Sequence, residues 1–464
     1  MDTSDEAYLK AVGDLNGLQT NHQILEQIKA SGGRINENSL PEFAAFIEKL
    51  GHQVDDLNGL NVIHITGTKG KGSTCAFVQS ILSRLPGRPL KIGLFTSPHL
   101  IEVRERIQIN GQPLSRADFA KYFYQTYDGL RAPEPPLRRV TEESPSMPMY
   151  FRFLTLMAYH TFLAEQVDVA IMEVGVGGEY DSTNVVKKPS VCGIASLGID
   201  HQGALGTTIE EIAWHKAGII KKDVAVFTVN QPDPALRVIS ERAIERNAPP
   251  PTVVAPVAAD VQLGIAGAHQ RTNAALAVAL CREWARKHSA PPASEAWIAQ
   301  GLAEAKWPGR TQTFASPRHP HITWHVDGAH TVESMAACAA WFAGVGSGPC
   351  VLLFNAAHNR SAQALLAVLA AQRCDFVEAV FCPNLSRRAD SANFTVLNDA
   401  ELAPQKDAAS IWADLSAQCK TTVLPTIDDA VAYIENTYAT PVHVLATGSL
   451  HLVGGVLDAA KGSI

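Results

Sequence analysis

Apolar and polar positions alternate along the chain in a regular order of short strands and longer helices. Short apolar runs predict strands at residues 60–65, 90–95, 167–174, 191–196 and 224–229. Runs with one apolar face predict helices near residues 73–85, 115–130, 150–166, 208–220 and 267–288. Strands that alternate with helices form largely parallel sheets covered on both faces. The N-terminal segment also predicts polar-faced helices, with Ile24, Leu25 and Ile28 on one buried side.

A second α/β series follows the segment KWPGR at residues 306–310. Its strands are predicted at residues 322–326, 351–354, 376–381 and 442–446, and Ala-rich helices separate them. A chain of 464 residues is long enough for two domains. We therefore expect an α/β protein with one domain in residues 1–306 and a smaller one in residues 307–464.

The loop after the first predicted strand carries the strongest chemical signal. It holds Gly67, Lys69, Gly70, Lys71 and Gly72, and Ser73 opens the next helix. Glycines let a backbone approach a polyphosphate closely, and the N–H groups at a helix start add positive potential. The usual pattern G-x-x-x-x-G-K-[ST] is absent, because Gly72 separates Lys71 from Ser73. The alternative is a turn that binds nothing, but two lysines among three glycines have little structural use.

Composition narrows the class of protein. The apolar share of 46% and charged share of 18% are typical of a globular chain, and a net charge of −7 disfavours a broad nucleic-acid surface. No apolar run approaches the ~20 residues of a membrane span. Eight scattered cysteines without a C-x-x-C pair argue against a zinc site and disulfides. We expect a cytoplasmic location, and a longer form with a mitochondrial leader stays open.

Any anionic ligand must be met by local basic clusters, because the net charge is negative. The candidate clusters are Lys69 with Lys71, Arg104 with Arg106, and Lys216 with Lys221 and Lys222. On a helix flank, a lysine such as Lys216 is usually just solvated. Ser97, Glu173 and His201 each follow a predicted strand and could together ligate a divalent cation. Alone, each has a plain alternative: a strand-end carboxylate is often a helix cap, and a histidine often a packing residue.

Further candidates lie shortly before the domain boundary, at it, and in the second series. Gln270 comes shortly before the boundary, Arg310 lies within KWPGR, and Asp327 and His330 follow a predicted strand. Asp327 and His330 could cap the following helix, or they could contact a nucleotide or an amine substrate.

The chain resembles the eukaryotic folylpolyglutamate synthases of the wider Mur-ligase-like superfamily. Motifs that carry the resemblance include GTKGKGS, FTSPHLIEVRERIQINGQP, MEVGVGGEYDSTN, SLGIDH, IAWHKAGI, WPGRTQ, VDGAHT and TGSLHLVGG. They run in the family's order and cover nearly the whole chain. The resemblance implies an N-terminal P-loop-type ATPase domain with a mostly parallel sheet and a smaller C-terminal Rossmann-like domain.

The resemblance also implies a reaction. The family's enzymes are ATP-dependent ligases that add L-glutamate to the γ-carboxylate of tetrahydrofolate or its polyglutamates through an acyl phosphate, releasing ADP and phosphate. Magnesium and a monovalent cation, expected to be potassium, are the implied cofactors. The implied partners are folate and L-glutamate, and we expect a monomer.

Functional residues carry over from the matching motifs. The resemblance implies ATP-phosphate contacts at Gly70, Lys71, Gly72 and Ser73, nucleotide contacts at Gln270, Arg310 and Asp327, metal ligands at Ser97, Glu173, His201 and Lys216, and glutamate contacts at His330 and Ser449. Lys71, Lys216 and His330 are the implied catalytic groups. Lys216 matches a lysine that is carbamylated in related enzymes.

The chain departs from the family's sequence pattern at two positions. Ala268 stands where the family has Glu, and Thr207 stands where Asp is usual. Both lie beside the implied ligands rather than among them.

The nearest rival function is that of a dihydrofolate synthase, which joins glutamate to dihydropteroate, or that of a bifunctional enzyme. A catalytically idle nucleotide-binding scaffold is the rival of another class, and it is disfavoured because every implied metal ligand and Lys216 are present.

Overall fold

The computed structural model describes residues 3–19, 36–288, 294–345, 348–356, 360–372, 375–386 and 401–461. They belong to two compact units. The first unit holds Met1–Gly264 and Gln270–Lys306, and the second holds Ile265–His269 and Trp307–Ile464. The expected buried positions Ile24, Leu25 and Ile28 lie outside the described residues.

Eight strands of the first unit form one sheet. They are β1 (Ile63–Thr66), β2 (Ile92–Phe95), β3 (Ile107–Ile109), β4 (Gln112–Pro113), β5 (Val169–Glu173), β6 (Val191–Ile194), β7 (Val226–Val229) and β8 (Thr252–Val254). Its helices are α1 (Thr3–Asn16), α2 (Ser39–Lys49), α3 (Lys71–Leu82), α4 (Arg116–Arg131), α5 (Tyr150–Ala164), α6 (Gln202–Leu205), α7 (Ile209–Ala217), α8 (Asp233–Glu245), α9 (Gln270–His288) and α10 (Ala296–Glu304).

The order of strands in this sheet is β4-β3-β2-β5-β1-β6-β7-β8. The six strands from β2 to β8 pair in parallel, and β3 and β4 continue the sheet in antiparallel fashion. Every residue of β1, β2, β5 and β6 is buried. Continuous apolar runs are typical of parallel strands, since helices cover both faces. The loops that leave these four strands therefore emerge at one edge of the sheet.

The second unit has a six-stranded sheet in the order β13-β12-β11-β14-β10-β9. Its strands are β9 (Gln312–Ala315), β10 (Ile322–Asp327), β11 (Cys350–Phe354), β12 (Phe376–Phe381), β13 (Lys420–Val423) and β14 (Val442–Thr447). Its helices are α11 (Val332–Ala343), α12 (Ala362–Ala371), α13 (Ala403–Leu415), α14 (Ile427–Thr437) and α15 (Leu450–Lys461). Only β9 is antiparallel to its neighbour in this sheet, and β10 pairs in parallel with β14 so that Asp327 lies opposite Thr447.

The predicted α/β class is confirmed, and each predicted strand and helix that falls within the described residues has an observed counterpart. The strands that the apolar pattern missed are β3, β4, β8, β9 and β13. They are short or partly exposed, so they lack a continuous apolar run. None of the described helices combines the length and the apolar character that crossing a bilayer requires.

Candidate active site

The loop between β1 and α3 is held in one conformation by its neighbours. The backbone N–H groups of Thr68 and Lys69 both donate to the carbonyl oxygen of Ser196, at 2.9 and 3.0 Å. Gly70 precedes α3 with φ of +84°, in the left-handed region that favours glycine. A Cβ on Gly70 would also collide with Oδ1 of Asn273. The loop is thus a tight backbone turn against the end of β6, as a phosphate-binding loop requires.

Two lysine side chains meet at this loop. Nζ of Lys71 and Nζ of Lys216 lie 3.0 and 2.9 Å from the carbonyl oxygen of Gly67, and both donate to it. Lys216 is 3% exposed. Burial, and next the positive charge of Lys71, lower the pKa of Lys216 to about 7. The solvated helix-flank alternative for Lys216 is therefore wrong, because α7 directs this lysine into the sheet edge.

Two of the expected metal ligands are joined directly. Glu173 ends β5 with 4% exposure, and its Oε2 accepts a hydrogen bond from the backbone N–H of Ser97 at 3.0 Å. Ser97 follows β2, the strand beside β5. Glu173 also lies opposite Ile65 of β1, close to the start of the lysine-bearing loop. The register of three adjacent strands therefore brings a carboxylate, a serine and the loop to one edge.

His201 lies in the loop that follows β6. It is exposed, has φ of +52°, and precedes the short helix α6. The neighbouring Asp200 approaches the loop, since its Oδ2 lies 3.4 Å from Nζ of Lys69. Within the described ranges, no three His, Cys, Asp or Glu side chains cluster as a metal site. The placement of His201 beside Glu173 stays a prediction.

Gln270 lies against the start of α3. Its side-chain Nε2 donates to Oγ of Ser73 at 3.3 Å, and its Oε1 accepts from Nδ2 of Asn273 at 2.9 Å. Gln270 and Asn273 are both buried on α9. Asn273 thus supports Gly70 and Gln270 together. The sequence offered no separate signal for this role of Asn273, because it depends on how α9 packs against α3.

The remaining basic candidates of the first unit differ in their partners. Arg104 forms an ion pair with Glu102 at 2.5 Å and donates to the carbonyl oxygen of Leu114. Lys221 donates to the carbonyl oxygen of Asn184 at 3.1 Å. These contacts give both side chains a structural role.

In the second unit, Asp327 is a buried carboxylate at the end of β10. Its Oδ2 accepts a hydrogen bond from the backbone N–H of Thr311 at 2.8 Å, and it is 8% exposed. Burial raises the pKa of Asp327, while the positive charge of Arg310 acts in the opposite direction. The N–H of Gly328 donates to Gly309, which ties the KWPGR segment to the end of β10. Arg310 and Asp327 therefore belong to one local site.

His330 and Ser449 leave neighbouring strands of the second sheet. Nδ1 of His330 lies 2.8 Å from the carbonyl oxygen of Gly328, so Nδ1 carries the proton that makes this hydrogen bond. Ser449 follows β14, is 3% exposed, and accepts from the N–H of His451. Because β10 and β14 are adjacent and parallel, both residues lie at the carboxyl edge of this sheet. The helix-cap alternative for Asp327 and His330 is wrong, since Thr331 caps α11.

Comparison with known proteins identifies the family. Bovine (Bos taurus) mitochondrial folylpolyglutamate synthase is 40% identical, and the match covers 99% of this chain and 93% of the relative. The chain belongs to the folylpolyglutamate synthase family. The folylpolyglutamate synthase of Saccharomyces cerevisiae is also 40% identical, over 97% of this chain and 86% of the relative. No protein-family model matches the chain.

Solved folylpolyglutamate synthases share the fold. The Mycobacterium tuberculosis folylpolyglutamate synthase complexed with ADP superposes with a TM-score of 0.76 at 23% identity, covering 98% of each chain. The resemblance found in the sequence motifs and the enzyme class that it implied are confirmed. The individual roles of the site residues remain predictions.

Proposed function

We propose that this folylpolyglutamate synthase adds L-glutamate to the γ-carboxylate of tetrahydrofolate and its polyglutamates, consuming ATP and releasing ADP and phosphate. The observation that carries the proposal is the pair of lysines on the carbonyl oxygen of Gly67, in a loop next to the Glu173 carboxylate. A cationic Lys71 and a carboxylate at one sheet edge suit the transfer of a phosphoryl group. The names of the bovine and yeast relatives support the choice of substrate.

The loop of Gly70, Lys71, Gly72 and Ser73 would hold the ATP phosphates. Gly70 lets the backbone turn sharply, and the first N–H groups of α3 lie at its helix start, where anions are stabilised. In the structure Lys71 donates to Gly67. When a phosphate competes for this ammonium group, Lys71 would exchange a backbone carbonyl for an anionic oxygen, a stronger partner.

Magnesium fits the donors that surround Glu173. Ser97 and Glu173 supply oxygen ligands of the kind that this ion prefers, and they are already joined by a hydrogen bond. Ser97, Glu173 and His201 would hold the ion, and a carbamylated Lys216 would help to hold a second one. When bound, magnesium offsets the negative charge on the phosphate oxygens.

Lys216 is suited to carbamylation. Only the neutral amine attacks carbon dioxide, and a pKa of about 7 leaves a large neutral fraction at physiological pH. The new N–C bond gives a carbamate and releases one proton. The carbamate would be an anion between Lys71 and Lys69, whose charges already act on Lys216. This would turn a repulsive contact between cations into an attractive one.

The carboxyl group of the substrate needs activation, because a carboxylate is a poor electrophile. We propose that its γ-oxygen attacks the terminal phosphorus of ATP and that ADP leaves, giving an acyl phosphate. The glutamate amine then forms the amide bond, and phosphate leaves with the former carboxylate oxygen. Lys71 would offset charge on the transferring oxygens throughout.

Residues of the second unit would bind the nucleotide and the incoming glutamate. Arg310 and Asp327 are proposed nucleotide contacts, as is Gln270 of the first unit. His330 and Ser449 are proposed for glutamate. With its proton on Nδ1, a neutral His330 has Nε2 as its basic nitrogen, which can take a proton from the ammonium group of glutamate.

One experiment tests both the substrate and the intermediate. Purified enzyme receives tetrahydrofolate with ¹⁸O in its γ-carboxylate, ATP, magnesium, potassium and radiolabelled L-glutamate. We expect radiolabelled polyglutamates, and one ¹⁸O atom in each released phosphate. Product without ¹⁸O in the phosphate would refute the acyl phosphate. Product from dihydropteroate instead of tetrahydrofolate would favour dihydrofolate synthase activity.

We propose a monomer that uses a monovalent cation, with potassium as the expected ion. The seven described cysteines are all free, which supports a reducing compartment. The bovine relative is named as mitochondrial. We propose a cytoplasmic enzyme, with a mitochondrial form if a longer chain exists.

A further inference from the structure

Arg106 stands apart from the other basic residues of the first unit. It ends a short helical turn, Val103–Arg106, and its backbone oxygen accepts from the N–H of Thr96, one residue before Ser97. Its side chain is half-buried. Within the part of the chain that the structure describes, no carboxylate lies within ion-pair distance of its guanidinium. A partly desolvated guanidinium without a counter-ion is costly unless an anion joins it.

The groups around Arg106 leave its terminal nitrogens available. Its Nε donates to Nδ1 of His99 at 3.0 Å, and its guanidinium carbon lies 5.4 Å from the centre of the Tyr150 ring. In the described residues, no hydrogen bond is made by either terminal nitrogen. The nearby Glu105 carboxylate accepts from three backbone N–H groups, including those of Leu100 and Glu102. It is therefore committed to its own turn.

Position relative to Glu173 indicates which anion would reach Arg106. The strand order places β5, with Glu173 at its end, between β1 and the pair β2 and β3. Arg106 thus lies on the opposite side of Glu173 from the phosphate loop. Glu173 acts electrostatically on Arg106, as does Glu105, although burial dominates and lowers the pKa of Arg106. An anion bound at Arg106 would therefore lie on the side of Glu173 that faces away from the phosphate loop. It would be a different anion from the triphosphate.

We propose that Arg106 binds the α-carboxylate of the terminal glutamate on the folate substrate and so presents the γ-carboxylate to the phosphoryl donor. This inference rests on the proposed function. A glutamate tail carries two carboxylates, and the backbones of Arg106 and Glu173 lie about two strand spacings (~10 Å) apart, because β2 separates β3 from β5. The flat guanidinium fork suits a carboxylate, since it can donate two parallel hydrogen bonds. Arg106 would therefore set which carboxylate reacts.

Equilibrium binding tests this inference without any turnover. Folate and its α-carboxamide, which keeps the γ-carboxylate, are titrated into the enzyme with AMPPCP and magnesium present. Wild type should bind folate about 10- to 100-fold more tightly than the α-amide, on the scale of a charge-assisted hydrogen bond. Arg106→Gln should bind the two ligands equally and close to the wild-type affinity for the α-amide. Arg106→Lys should restore part of the preference.

Arg104→Gln is the matched control, because it removes the same charge two residues away from a side chain paired with Glu102. It should keep the wild-type preference for folate. The proposal is overturned if wild type does not discriminate between the ligands, or if Arg106→Gln weakens both equally. A shift of the magnesium titration without a change in folate preference would show that Arg106 only supports Glu173, and would also overturn it. Failure of the proposed function would appear separately. The wild-type enzyme would then still prefer folate to its α-carboxamide but would not add glutamate to tetrahydrofolate.

Discussion

The two units place opposite charges at equivalent positions. In the first unit, the loop after β1 gathers Lys71 and Lys216 on a backbone carbonyl oxygen. In the second, the end of β10 buries Asp327 against a backbone N–H group. Both sites use the carboxyl edge of a parallel sheet. The first is therefore suited to phosphates, and the second to hydroxyl or ammonium groups that donate hydrogen bonds.

Burial favours the neutral form of the titratable group at both sites, although Lys216 and Asp327 carry opposite charges when ionised. It lowers the pKa of Lys216 to about 7 and raises the pKa of Asp327. Each group gains its charge most easily when a ligand of the opposite charge arrives. The two strand-end sites therefore differ in the sign of the buried charge, although both lie at the carboxyl edge of a parallel sheet.

The largest expected effect is that of removing the loop lysine. Lys71→Ala should lower kcat by about 1,000-fold, at the upper end of the loss for one electrostatic contact to a transition state. Steady-state turnover with tetrahydrofolate measures it, and circular dichroism checks the fold. Lys222→Ala, which removes an exposed lysine, is the matched control and should be near normal. A well-folded Lys71→Ala enzyme with normal turnover would exclude the assigned role.

The second expected effect concerns the carboxylate beside the loop. Glu173→Gln should lower turnover by about 100-fold and raise the magnesium concentration needed for half-maximal rate. The amide can still accept the N–H of Ser97, so the local fold should survive. Glu241→Gln is the control, because Glu241 forms an exposed ion pair on α8. An unchanged magnesium titration in Glu173→Gln would argue against the metal site.

Sequence patterns predicted the parts of this molecule that depend on local residues. Continuous apolar runs located the parallel strands, and the spacing of Gly70 and Lys71 located the loop, because both signals lie within a few residues. Lys216 was different: composition alone suggested a solvated helix flank, and only the family motif marked it. Its burial depends on α7 packing against a loop 149 residues away.

Contacts between distant segments explain the rest of what sequence reasoning missed. Asn273 supports Gly70 across about 200 residues of chain, and no local pattern encodes such a contact. In the sequence, Arg106 is one half of a basic pair with Arg104. Their difference arises from three-dimensional placement, since Glu102 pairs with Arg104 while Arg106 faces His99 and Tyr150.

A smaller effect should follow from removing the negative charge of Asp327 in the second unit. Asp327→Asn should raise KM for ATP by about tenfold with a modest change in kcat, because a buried charged acceptor for the nucleotide becomes a neutral one. KM for glutamate should stay closer to normal. Steady-state kinetics with each substrate varied in turn would separate the two. An increase confined to the KM for glutamate would move Asp327 to the other substrate.

The last expected effect is on stability rather than on turnover, and it appears as a dependence on pH. Because the folded pKa of Lys216 is about 7 and its ordinary value is 10.5, the unfolded chain binds more protons between these values. Stability from this group is therefore complete above pH 10.5 and is lost as pH falls through 7, by up to about 1.4 kcal/mol per pH unit. Lys216→Met lacks this dependence, so its excess stability over wild type should be greatest below pH 7 and shrink towards pH 10. Urea unfolding in buffers depleted of carbon dioxide measures the difference.

Asp327→Asn should show the reverse trend in stability. Its excess stability over wild type should grow as pH rises through the raised pKa of Asp327. Parallel trends in the two variants would contradict the opposite signs of buried charge on which the comparison depends.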